Sequence, residues 1–94
     1  MVKDKEEYQQ LLSDLIQKEM IMLGPNLVLS KSRQVPGLKV NDEGNVVNIS
    51  GDPHEVLERL ANVFWDLSGH TAQVALTSLL EKYPVIKKLD TKPS

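Results

Sequence analysis

Two histidines are the side chains that titrate near neutral pH without perturbation, so hydrolytic or phosphotransfer chemistry in this sequence must involve His54 or His70. His70 follows Asp66 by four residues, a spacing that would bring the two together if one helix continued through Gly69. Such a pair could supply half of a metal site, but no third ligand is evident, and a structural hydrogen bond is the expected role. His54 precedes Glu55 in the first turn of a predicted helix, where a surface position is expected.

The sequence contains no cysteine, which excludes disulfides, thiolate catalysis and sulfur-ligated metals. Its serine, histidine and aspartate residues show no spacing that would assemble a nucleophile, a base and an orienting group. The turn-forming segment 41–45 contains carboxylates and a glycine, yet it lacks the alternating ligands and the distal glutamate of a calcium loop. We therefore predict a non-enzymatic protein with no cofactor and no metal site.

Positive charge is concentrated in one part of the chain. Residues 21–40 contain Lys31, Arg33 and Lys39 and no acidic residue, whereas residues 41–66 contain six acidic residues. These three basic residues are weak candidates for binding an anion or a nucleic acid, and pairing of complementary charges within the fold is the expected outcome. The net charge of −2 argues against a protein whose main role is to neutralise phosphates, so nucleic acid is not an expected partner.

Hydrophobic periodicity predicts the first elements that position these residues. An amphipathic helix is predicted over 4–23, with Asp4 as its N-cap. The segment 25–35 fits either a helix or a strand, and Pro25 at a first helical position favours the helix. β-Branched residues on both sides of a glycine-containing turn then predict a hairpin over 38–49.

Two further helices are predicted after the hairpin. Asp52 and Pro53 form the clearest helix start in the sequence, because the carboxylate can cap free amides and the proline suits a first helical position. This helix is predicted to reach Ser68. Gly69 then separates it from a last helix over 70–82, which the following proline should end.

Helices at both ends of the chain around one hairpin predict a mostly helical α+β fold in the order helix, helix, strand, strand, helix, helix. A single compact domain is expected over residues 1–89, with a frayed polar tail over 90–94. The N-terminal residues include no apolar secretory signal, and the longest aliphatic run, Met20–Leu23, has only four residues. We therefore expect a cytoplasmic protein that does not enter a membrane.

Self-association is the main functional expectation. A chain of 94 residues has a thin margin of stability, and an isolated hairpin is marginal in water. The apolar run Met20–Leu23 also occupies every side of the last turn of the first helix. These features predict a small interaction or regulatory module that acts as a homodimer and binds another protein, with Met20, Met22 and Trp65 as candidate interface residues.

Two other functions stay open. A nucleic-acid-associated regulator would use a composite basic face formed by Lys31, Arg33, Lys39, Lys82, Lys87 and Lys88. The last two helices have the short glycine-containing joint of a helix-turn-helix, but the second of them contains no lysine or arginine before Lys82. A small-ligand sensor would instead hold an apolar molecule against Trp65, in a cavity between the helices and the hairpin.

Overall fold

The computed structural model describes residues 2–83 and residue 86, with side chains from residue 5 onward. Its elements in chain order are α1 Val2–Leu23, α2 Pro25–Arg33, β1 Leu38–Val40, β2 Val46–Ile49, α3 Pro53–Ser68 and α4 His70–Lys82. This order confirms the predicted mostly helical α+β fold, with one antiparallel hairpin between two pairs of helices. Pro84, Lys87, Lys88 and the tail predicted over 90–94 lie outside the described residues.

The first helix begins earlier than the sequence predicts, and it ends at the predicted residue. α1 begins at Val2, so the prediction of Asp4 as its N-cap is wrong and Asp4 belongs to the first turn. At the other end the Gly24 amide donates to the Met20 carbonyl at 2.9 Å, and the backbone turns into α2. Pro25 then occupies the first position of α2. At this position a backbone N–H would have no partner within the helix, so the lack of an N–H in proline costs no hydrogen bond.

The ambiguous segment after Gly24 is a helix as far as Arg33. Val28, Leu29 and Ser32 are buried on one side of α2, at the helical spacing that a strand would not share. The Val35 amide donates to the Ser32 carbonyl at 3.1 Å, which closes the turn that leads into β1. Helix is therefore preferred because this spacing places the apolar residues of the segment against α1.

The hairpin forms over the predicted residues and is anchored to α1. Leu38 pairs with Ile49, Val40 pairs with Val46, and the register shifts between Lys39 and Val40. The buried hydroxyl of Ser13 on α1 accepts a hydrogen bond from the Val46 amide at 2.8 Å. Because a two-stranded hairpin is marginal alone, this contact and the packing of β2 on α1 stabilise it.

The third helix begins and ends at the predicted residues. The Asp52 carboxylate accepts a hydrogen bond from the His54 amide at 3.0 Å, which confirms its role as N-cap. At the C-terminal end the Gly69 amide donates to the Trp65 carbonyl at 2.8 Å. Gly69 has a φ of +56°, in a region that side chains with a Cβ rarely enter, and α4 starts at the next residue.

α1 is the centre of the packing and contacts α2, α3, α4 and β2. α4 lies antiparallel to α1, as two hydrogen bonds show. The Tyr83 hydroxyl donates to Asp14 Oδ2 at 2.8 Å near the end of α4, and the Ser68 hydroxyl approaches Glu19 Oε1 at 2.8 Å just before α4 starts. The two helices are thus joined at both ends of α4.

Candidate interaction surface

The surface between α1 and α4 contains an apolar groove of about 540 Å³. On the α4 side, Thr71, Ala75 and Ser78 follow one another at intervals of four and three residues, so small side chains lie on one stripe of the helix. They do not fill the space beside α1, and a groove remains. We call this feature the α1–α4 groove; its full lining is Lys18, Ile21, Met22, His70, Thr71, Val74, Ala75 and Ser78.

The apolar side chains around the α1–α4 groove are largely exposed to solvent. Ile21 is 86% exposed, Val74 53% and Met22 46%. Complete burial of one such side chain is worth about 1.5–3 kcal/mol, so this surface retains hydrophobic free energy that the fold does not use. Grouped exposed apolar residues of this kind mark interaction sites more often than single ones do.

Ile21 stands between two grooves. It lines the α1–α4 groove on one side and a smaller apolar groove of about 310 Å³ on the other. The smaller groove is also lined by Gln17, Met20 and Pro25, where α1 passes into α2. The last turn of α1 therefore presents a projecting side chain with a depression on either side.

The three predicted interface residues have different surroundings. Met22 lines the α1–α4 groove. Met20 is half-buried, and its Sδ lies close to Gly44 in the hairpin turn. Trp65 is only 8% exposed and belongs to the core, so little of its surface is available to a partner. Their role at an interface stays a prediction.

Charge is sparse around the groove. The exposed side of α4 has no lysine, arginine, aspartate or glutamate from His70 to Leu80; Glu81 and Lys82 come only in its last turn. On the α1 side, Lys18 is the charged residue that lines the groove. Because this surface has few charges, two copies of it can approach each other without strong electrostatic repulsion.

The predicted anion-binding residues are partly used within the fold. Arg33 Nη2 lies 2.8 Å from Asp42 Oδ1, and Arg33 Nε donates to the Val40 carbonyl at 3.3 Å. Lys31 is half-buried on α2 and Lys39 is exposed on β1. A surface ion pair such as Arg33–Asp42 is worth at most about 1 kcal/mol, but it neutralises the one guanidinium of this cluster.

Within the described residues, the two histidine side chains contact neither each other nor an acidic side chain. His54 is half-buried, and its Nδ1 lies 2.9 Å from the Tyr8 hydroxyl, with the two rings nearly perpendicular at 6.0 Å between centroids. Its predicted surface position is thus only partly correct, because Tyr8 covers one side of the ring. His70 is exposed and lines the α1–α4 groove, and no hydrogen bond within the described residues links it to Asp66. Gly69 ends α3 before the two can share a helix face.

A buried acid at the end of α1 is the functional candidate that the sequence analysis did not identify. Glu19 is fully buried, and burial raises the pKa of its carboxyl more than the hydrogen bond from Ser68 lowers it. Among the described residues its Oε2 atom has no hydrogen-bond partner although it is buried, and the same holds for the indole nitrogen of Trp65. The sequence does contain a signal for this burial, since Glu19 follows Leu12 and Leu15 at intervals of seven and four on the apolar stripe of α1.

Among residues 5–83 and residue 86, no three histidine, aspartate or glutamate side chains are grouped closely enough to hold a metal ion. No helix of the described part of the chain is both long enough and apolar enough to cross a membrane. Comparisons of this chain with protein-family models, with curated proteins and with solved structures give no match.

Proposed function

We propose that this protein is a non-catalytic interaction module that pairs with a second copy of itself through the α1–α4 groove. The observation that carries the proposal is the exposure of Ile21, at 86%, between two apolar grooves. An isoleucine in this position contributes almost nothing to the fold. It would contribute about 1.5–3 kcal/mol to an interface that covers it.

Self-association is supported by the shape of the surface. A two-fold interface requires a patch that is complementary to itself, because each copy presents the same residues to the other. Within one patch, Ile21 forms a projection and the α1–α4 groove forms a depression. Ile21 of each copy can therefore enter the groove of the other copy. The small residues of α4, among them Ala75 and Ser78, permit the close approach of a second helix.

The charges and the area of this face are compatible with such pairing. Lys18 is the charged residue of the groove lining, so pairing of two copies brings few like charges together. A stable interface buries about 800 Å² on each partner, against an accessible surface of 5577 Å² for this chain. The groove, its α1 side and the exposed side of α4 would all have to take part.

Pairing through the hairpin is the weaker alternative. β1 has three residues and β2 has four, and β2 already packs on α1. Such short strands offer few backbone hydrogen bonds to a second copy. We also propose a cytoplasmic location: a fold that is held together without disulfides is stable in a reducing compartment.

The test is the molar mass measured by sedimentation across a range of concentrations near neutral pH. The wild-type chain is expected to rise from 10.5 kDa toward twice that value. Ile21→Lys should keep the chain at 10.5 kDa, because pairing would bury the added charge. Val47→Lys is the matched control, since Val47 is an exposed apolar residue on the hairpin, 51% accessible and outside the groove lining.

The outcomes separate the alternatives. Equal dimerisation of wild type and Val47→Lys, with loss in Ile21→Lys, supports the α1–α4 groove. A wild-type chain that stays at 10.5 kDa at the highest concentration overturns the proposal. So does an Ile21→Lys chain that dimerises like the wild type. Circular dichroism verifies that both variants are folded, and we expect them to be, because both replaced side chains are exposed.

A further inference from the structure

The carboxyl group of Glu19 lies at an incompletely satisfied polar site inside the fold. Its side chain is fully buried, its Oε1 atom is 2.8 Å from the Ser68 hydroxyl oxygen, and its Oε2 atom has no hydrogen-bond partner in the part of the chain that the structure describes. An ionised carboxylate is expensive in such surroundings, because it loses water on both oxygens and regains one hydrogen bond.

The hydrogen bonds around Ser68 are complete only when Glu19 carries a proton. The Ser68 hydroxyl has one hydrogen, but two acceptors are in reach, Glu19 Oε1 at 2.8 Å and the Phe64 carbonyl at 3.2 Å. When Glu19 is ionised, the Ser68 hydroxyl hydrogen can bond to only one of these two acceptors, and the hydrogen bond to the other acceptor is lost. With Glu19 protonated, the carboxyl O–H donates to the Ser68 oxygen while the Ser68 hydroxyl donates to the Phe64 carbonyl.

This site lies at the joint between α3 and α4. Ser68 is the last residue of α3, Gly69 adopts a φ of +56° and ψ of −122°, and His70 is the first residue of α4. Trp65, whose buried indole nitrogen also lacks a partner among residues 5–83 and residue 86, is one turn before Ser68 on the same helix. A change in the hydrogen bonds of Ser68 therefore acts on the residue next to the point where the backbone turns.

We propose that Glu19 and Ser68 form a proton-operated latch, which holds the start of α4 against α1 when the carboxyl is protonated and releases it when the carboxyl ionises. When the joint between α3 and α4 opens, water can reach the charged carboxylate. In the closed joint the carboxylate is buried away from water. The direction agrees with the raised pKa of Glu19, whose first cause is burial.

Charged groups near the latch do not replace the proton. The charged or titratable residues on the elements packed against α1 are Lys31 and Arg33 on α2, His54, Glu55, Glu58, Arg59 and Asp66 on α3, and His70, Glu81 and Lys82 on α4, while β2 has none. Lys18 precedes Glu19 on α1 and is exposed. No ion pair or hydrogen bond within the described residues links any of these groups to Glu19, and burial and Ser68 account for its pKa.

The test compares Glu19→Gln with the wild type by amide hydrogen exchange in the first two turns of α4, corrected for the intrinsic effect of pH. Glutamine has the shape of a protonated glutamate and donates to Ser68 at every pH. In the wild type, the opening constant should rise by up to tenfold per pH unit, beginning near the ordinary value of 4.5 and levelling off at the raised pKa. In Glu19→Gln it should stay constant. Glu81→Gln, which changes an exposed glutamate on α4, is the matched control and should behave like the wild type.

A wild-type opening constant that does not change with pH overturns the proposal, and so does a Glu19→Gln variant that keeps the wild-type dependence. The Glu19 carboxyl can also be titrated directly in the wild type by carbon NMR, which requires no variant to fold. Titration at 4.5 overturns the latch, because the closed joint would then hold the proton no more tightly than water does; titration above 4.5 supports it together with a pH-dependent opening constant. Both measurements use dilute protein of verified monomer mass, so the result is independent of self-association.

Discussion

Replacing Gly37 by alanine should destabilise the fold far more than the same change at Gly51. Both glycines have a φ of +85°, so both substitutions force a Cβ into the left-handed region at a cost of about 1–2 kcal/mol. The loss of chain freedom in the unfolded state offsets about 0.4–1 kcal/mol of that cost. The two positions thus share the same φ, and their surroundings differ.

A Cβ at Gly37 would lie 2.5 Å from the Ser50 carbonyl oxygen and 3.2 Å from a methyl group of Val56. The first of these neighbours is backbone, and it is held there because the Ser50 amide donates to the Gly37 carbonyl at 2.7 Å. Relief of the clash must therefore move the base of the hairpin, at an additional cost of about 1–3 kcal/mol. At Gly51 no atom of the described residues lies within 4 Å of the added Cβ.

Urea unfolding followed by Trp65 fluorescence measures the difference. We expect Gly51→Ala to lower the free energy of unfolding by about 0.5–1 kcal/mol, which is the backbone strain minus the offset from the unfolded state. Gly37→Ala should lower it by about 2–4 kcal/mol, because the clash with Ser50 is added. For a denaturant slope of about 1–3 kcal/mol per molar, the two midpoints should differ by about 1 M. Equal midpoints would show that the hairpin base accommodates a Cβ, and the close approach of Gly37 to the Ser50 carbonyl would then not restrict this position.

Three more substitutions or titrations test the core and its polar contacts. Leu60→Ala removes a fully buried side chain and should cost about 2–5 kcal/mol in the same urea assay; an unchanged midpoint would contradict its place in the core. Ser13→Ala deprives the buried Val46 amide of its acceptor and should cost about 1–3 kcal/mol, with faster exchange of that amide. Burial first, and then the hydrogen bond to Asp14, raise the pKa of Tyr83 to about 12 from 10.0. Because the folded state holds this proton more tightly, the contribution of Tyr83 to stability is complete below pH 10.0 and is lost as the pH rises toward 12; NMR signals of the ring that move near 10.0 would contradict this.

The sequence predicts the elements of this fold well because their signals are local. The helix start at Asp52 needs only a carboxylate, a proline and the amides of the next turn. The hairpin needs β-branched residues on both sides of a glycine-containing turn. The helix over 25–33 is harder, since its apolar residues could also form a short strand, and Pro25 at its start is what favours the helix.

The contacts between elements could not be predicted in the same way. Tyr8 and His54 are 46 residues apart, and Glu19 and Ser68 are 49 apart, so their proximity depends on how complete helices pack. Periodicity identifies the side of a helix that faces the core without identifying its neighbours. Trp65 illustrates the limit: it lies beside the main stripe of α3, but α3 contacts α1, α2 and α4, and more than one side of it is covered.

The α1–α4 groove and the latch both follow from the way α4 is attached to the rest of the fold. The hydrogen bonds of Ser68 and Tyr83 secure the two ends of α4 to α1, while the small residues between them leave the middle of the interface unfilled. A second copy that enters the groove would contact α1 and α4 together, in the arrangement that the closed joint maintains. It would therefore bind the closed form of the joint more tightly than the open form. Since coupling between two binding events is reciprocal, protonation of Glu19 would in turn favour pairing, although neither event requires the other.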